Sequence, residues 1–108
     1  LYAWDGHWIL EIADVIIQDG VVLNQALGYS EMFTWRLING KPFYFYRQDG
    51  QTRLSYDSQT LPHAYQRVIH DPMCCSAGAL NMELADNALA FFALRDGYWY
   101  YVIVTPSA

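Results

Sequence analysis

The stretch "HDPMCCSAG", residues 70–78, sets the chain's only two cysteines side by side, a few positions after His70. Asp71-Pro72 has the form of a helix N-cap followed by proline at the first helical position. In a helix opened there, Cys74 and Cys75 fall in the first turn, near free backbone amides and the positive dipole end, where a thiol pKa is lowered. His70 is near enough in sequence to serve as a base, so Cys74 or Cys75 with His70 would form a nucleophile or a redox-responsive thiol. Two physical points stand against this. No cysteine-hydrolase signature surrounds Cys74. Free cysteines usually pack as small hydrophobes, which the neighbours Met73, Ala77, Ala79 and Leu80 suit.

The same pair allows a third chemistry. Adjacent Cα atoms stand about 3.8 Å apart, whereas ordinary disulfides span ~4.4–6.8 Å, so a bond between neighbours would strain a turn and reduce easily. Zinc is disfavoured, because its cysteines are normally separated by two to four residues. His63, His70 and Asp71 add no ligand spacing of any specificity. We assign no metal ligands and no cofactor. Glu11, Glu31 and Glu83 are isolated, and no carboxylate pair has glycosidase-like spacing. Phosphate loops, G-x-S-x-G, H-E-x-x-H and EF-hand patterns are absent from the sequence.

Aromatic residues offer a different kind of site. "FYFY" at 43–46 and "YWYY" at 98–101 place rings on both faces of their strands, since successive strand side chains alternate. One face can be core, and the other needs a cover or is a recognition surface, where tyrosine and tryptophan are common. The platform expected from this is Tyr44, Tyr46, Tyr98 and Tyr100. A one-residue slip substitutes Phe43, Phe45, Trp99 and Tyr101. The tyrosine register is the one expected to face outward.

These side chains need strands and turns to position them. Five dipeptides of the Asp-Gly or Asn-Gly type begin at Asp5, Asp19, Asn39, Asp49 and Asp96, each tolerant of the positive φ of a type I′ turn, and four of the five have the β-forming flanks that make a hairpin. Strands follow at about 15–18, 21–23, 32–38, 42–48, 51–56, 89–94 and 98–104. "HWILEI" adds another, with Trp8, Leu10 and Ile12 on one face. In "LNQALGY", residues 23–29, Asn24 is a candidate N-cap and Gly28 a stop, enough for about one helical turn, with an irregular loop as the equal alternative. Residues 61–87 form the one short helical or irregular excursion. The segment 40–68 resembles one unit of the WG-type bacterial β-repeats in its aromatic strand, polar-Gly turn and later tyrosine. It lacks the Trp-Gly pair and occurs once, so no function is carried over from it.

The expected fold is therefore mainly β, or α+β, in a single globular domain over residues 1–108. About eight antiparallel strands built from hairpins would form a small, strongly coiled sheet or barrel. Hydrophobic residues at 54% and charged ones at 16% exclude a disordered chain. A net charge of -5, with Lys41 the single lysine, leaves little for phosphate-backbone or anionic-membrane attraction, so neither nucleic acid nor membrane is an expected partner. The longest apolar run, "YWYYVIV", falls far short of the roughly 20 residues a spanning helix requires. The reading that follows is a non-catalytic binding or interaction domain with an aromatic-rich β surface or pocket and a tendency to homo-oligomerise. Its partner, whether small molecule, peptide or protein, and its compartment are not legible. The alternative is a thiol-dependent protein using Cys74 or Cys75 with His70.

Overall fold

The computed structural model describes residues 1–69, 83–85 and 87–105. The described residues form twelve strands and one short helix. Sheet 1 is the meander β1 (Tyr2–Trp4), β2 (His7–Ile12), β3 (Val15–Gln18) and β4 (Val21–Val22), followed by α1 (Leu23–Leu27). Sheet 2 is the meander β5 (Met32–Ile38), β6 (Lys41–Gln48), β7 (Gln51–Tyr56) and β8 (Gln59–Tyr65). Sheet 3 is built around β11 (Ala88–Arg95), with β12 (Tyr98–Val104) on one side and β9 (Arg67–Val68) and β10 (Glu83–Ala85) on the other. All pairings are antiparallel.

The four expected hairpins form, and Asp5-Gly6 makes a fifth. Both central residues have positive φ at Asp5-Gly6, Asp19-Gly20, Asn39-Gly40, Asp49-Gly50 and Asp96-Gly97, the sign pattern of type I′ turns. Two further turns, Ala13-Asp14 and Asp57-Ser58, take the same path without a glycine. A left-handed alanine is unfavourable by roughly 1–2 kcal/mol, so Ala13 at φ 49° is held by the strands it joins, not by its own preference.

The mainly-β, hairpin-built class holds. The grouping of strands does not follow the expected coiled sheet or barrel of about eight strands, because the twelve strands separate into three sheets of four. Residues 61–65, expected in a helical or irregular excursion, belong to β8, and 67–68 and 83–85 are strands as well. β8 pairs with β7 on both sides of Pro62, Thr60 with Ser55 and Ala64 with Arg53, and the register shifts between these pairs, so Pro62 lies at an irregularity of an edge strand, where a missing N–H is tolerated.

Strand alternation places sheet 2 between the other two. On β6, Phe43 and Phe45 point to sheet 3 and join Phe33, Leu54, Leu89 and Phe91 in one core. Tyr46 points the opposite way and joins Met32, Trp35, Ile9 and Ile16 in a second core against sheet 1, with Tyr44 packed at its margin. A bulge in β5 between Phe33 and Arg36, with Thr34 at φ 54°, turns Trp35 toward sheet 1. The Trp35 amide donates to Glu11 Oε1 at 3.1 Å, and the Met32 amide donates to the Asp14 carbonyl at 2.9 Å. Glu11, isolated in the sequence, thus ties sheet 1 to the bulge.

Helix α1 ends as expected at Gly28, whose φ of 79° is left-handed. Its start differs: Val22 is the N-cap, without a side-chain bond, and Asn24 lies inside the helix. The Asn24 side chain instead accepts the Ile16 amide at 3.0 Å and donates to the Asp14 carbonyl at 2.9 Å. It is buried and braces the strained Ala13-Asp14 turn. Asn24→Ala leaves the buried Ile16 amide without that acceptor, so a loss of about 2–3 kcal/mol is expected by urea denaturation. An unchanged midpoint would remove Asn24 from this bracing role.

Candidate functional site

β12 is an edge strand of sheet 3, and four consecutive aromatic side chains open it. Cross-strand pairing divides them between two faces. Tyr98 and Tyr100 pair with Arg95 and Ala93 and share the face turned toward sheet 2. Trp99 and Tyr101 pair with Leu94 and Phe92 and share the outer face, together with Ile103 and Ala90. On that outer face Trp99, Tyr101 and Ile103 are 49%, 52% and 62% exposed. Phe92 and Tyr101 are in ring contact with centroids 4.9 Å apart. The result is a contiguous apolar surface whose charged side chains among the described residues, Arg67 and Glu83, lie at its β9 and β10 border.

The expected tyrosine platform is split. Tyr46 is only 2% exposed, stacked on Tyr29 at 4.0 Å with its hydroxyl 2.7 Å from Thr60 Oγ1, and Tyr44 lies half-buried beside it under sheet 1. Burial, with Tyr46 alongside, raises the Tyr29 pKa above the usual tyrosine value. Tyr98 and Tyr100 are exposed on a different sheet. The structure therefore brings Tyr44 to Tyr46, and Tyr98 to Tyr100, without joining the two pairs. The slipped register is split in the same way: Phe43 and Phe45 are core, while Trp99 and Tyr101 are outside.

The inner face of β12 ends in a polar group. The Arg95 guanidinium lies 5.1 Å from the Tyr100 ring centroid, and its Nη1 donates to His63 Nδ1 at 2.8 Å. Because arginine can only donate, this geometry puts the ring proton of a neutral His63 on Nε2. Beside it, a cleft of about 260 Å³ between β8 and β12 is lined by Leu54, Leu61, Tyr65, Val102 and Val104, among others. Burial outweighs the nearby Arg95 charge and raises the Tyr65 pKa. Among the described residues no group of three His, Cys, Asp or Glu side chains is placed to hold a metal.

Cys74, Cys75 and His70, with the Asp71-Pro72 helix start, lie outside the described residues. His7, which follows the Asp5-Gly6 turn, is exposed, and its Nδ1 lies 2.8 Å from Asp19 Oδ2. The Trp8 amide donates to Asp19 Oδ1, also at 2.8 Å. The His7 bond first and the Trp8 amide second hold the Asp19 carboxyl below its ordinary value of 3.8. A depressed acid stabilises the fold above its unfolded pKa, and that contribution is lost as pH falls through the lower folded value. A carboxyl NMR titration should place Asp19 below 3.8, and His7→Ala should move it upward. A midpoint unaffected by His7→Ala would separate the two side chains.

Sequence reasoning did not select Phe92, Leu94 or Ile103. The signal was present in "ALAFFALR", where both alternating phases are apolar: Leu89, Phe91 and Ala93 in one, Ala90, Phe92 and Leu94 in the other. A strand apolar in both phases belongs in a sheet covered twice. Sheet 3 is covered once among the described residues. No protein-family model, curated protein or solved structure matches the chain.

Proposed function

We propose that the protein is a non-catalytic interaction domain whose working surface is the outer face of sheet 3, centred on Trp99 and Tyr101. The observation that carries this is a contiguous apolar patch, Phe92, Leu94, Trp99, Tyr101 and Ile103, left open on a sheet whose other face is core. Large uncovered apolar patches mark interaction sites because they gain most from leaving water. Aromatic anchors with few rotatable bonds lose little entropy when they are immobilised.

A hydrophobic dye of the anilinonaphthalene sulfonate type tests the reading. The wild-type protein should bind it saturably, with quenching of tryptophan emission. Trp99→Ser combined with Tyr101→Ser should lose this class of dye sites while the thermal midpoint changes little, because both side chains are about half exposed. Dye binding identical to wild type in that variant would contradict a working surface at Trp99 and Tyr101.

A further inference from the structure

The three sheets follow one rule of stacking. The residue after the first hairpin turn is His7 in sheet 1, Lys41 in sheet 2 and Ala88 in sheet 3. His7 lies on the Ile9 face, which is turned toward sheet 2. Lys41 lies on the Phe43 face, which is turned toward sheet 3. Each sheet therefore meets its successor with the same face and its predecessor with the opposite one. By this rule the Ala88 face of sheet 3, which is the Phe92 and Leu94 face, is the side that receives a following sheet.

The other end of the stack is the complement. Strand alternation puts Trp8, Leu10 and Ile12 of β2, with Ile17 and Val22 paired beside them, on the outer side of sheet 1. This is the side with which sheets 2 and 3 receive their predecessors. Its paired strand positions Leu10, Ile12, Val15, Ile17 and Val22 are all apolar, with Asp19 in the turn beside Trp8, and Trp8 and Ile12 are 37% and 58% exposed. Both internal contacts join unlike faces, and the two open faces are the unlike pair that remains.

Resting on the reading of the Trp99 face as an interaction surface, we infer that its partner is the Trp8–Leu10–Ile12 face of a second copy of this chain, packed head to tail as the sheets pack within one copy. Such a heterologous contact closes a ring when its rotation permits and otherwise grows as a chain. Radial repetition of four-stranded sheets is one way β proteins leave no broad face open.

Sedimentation or light scattering with two charge variants tests the inference. Trp99→Glu with Ile103→Glu blocks the sheet 3 face, and Trp8→Glu with Ile12→Glu blocks the sheet 1 face. The wild type should rise in mass above 12.5 kDa across the micromolar range. Each variant alone should stay monomeric, and an equimolar mixture should form a dimer limited to one copy of each. The matching serine pairs serve if a glutamate pair fails to fold. A wild type that stays monomeric overturns the second-copy partner, while saturable dye binding at Trp99 leaves the interaction-surface reading standing. A sheet 1 variant that dimerises alone shows like-with-like pairing and overturns the head-to-tail arrangement. A mixture that stays monomeric overturns it as well.

Discussion

Phe45→Ala should lower the unfolding free energy by about 3–5 kcal/mol, a large share of the roughly 5–15 kcal/mol available to a domain of this kind. The Phe45 ring is fully buried between sheets 2 and 3. It stacks on Phe33 with centroids 4.9 Å apart, and it meets Phe43 and Phe91 edge-on at 5.1 and 4.9 Å. Removing it deletes three ring contacts and opens a cavity bordered by two sheets. The backbone on either side is fixed by pairing with Phe33 and Leu54, so the cavity cannot close by a small shift. Urea denaturation followed by circular dichroism reads the loss. A change below about 1 kcal/mol would mean that sheets 2 and 3 are not packed through this ring.

Trp35→Ala should have a comparable effect, about 3–5 kcal/mol, through the other interface. Trp35 is buried, and its ring centroid lies 4.7 Å from that of Trp4 and 6.1 Å from that of Tyr2. The bulge at Thr34 exists in a conformation that a β-branched residue disfavours, and the burial of Trp35 is what offsets it. Loss of the indole therefore weakens the bulge and the join to sheet 1 together. The near-ultraviolet dichroism of the Trp4–Trp35 pair should disappear in the same variant. Retention of both the signal and the stability would argue that sheet 1 is held to sheet 2 by other contacts.

The hairpins were legible because their turns carry a conformational requirement in two letters. Asp-Gly and Asn-Gly accept positive φ, and all five such sites in the chain are hairpin turns. Ala13-Asp14 and Asp57-Ser58 were not legible as turns, since no residue there demands that conformation and the strands impose it. The division into three sheets was hidden for a related reason. Local patterns give strand pairs, but whether a meander continues or stops depends on packing between sheets, set by long-range contacts such as Phe45 with Phe91 and Trp35 with Trp4.

The candidate site was half legible. The double-sided aromatic run of β12 pointed to a recognition surface, and Trp99 and Tyr101 appeared there as the slipped register. The sequence could not show that "FYFY" is buried on both sides, because that depends on sheet 2 being the middle layer. Period-2 alternation names the residues that share a face and says nothing about which face is covered.

Hydroxyl-radical footprinting of Trp99 and Tyr101 is the most direct measurement of the outer face as an interaction surface. In dilute protein both side chains should be modified readily, while Trp35 and Tyr46, each 2% exposed, stay protected. As concentration rises through the micromolar range, Trp99, Tyr101 and Trp8 should become protected together. Trp99 and Tyr101 already protected in dilute protein would contradict the open interaction surface, and equal reactivity at every concentration would contradict its pairing with a second copy.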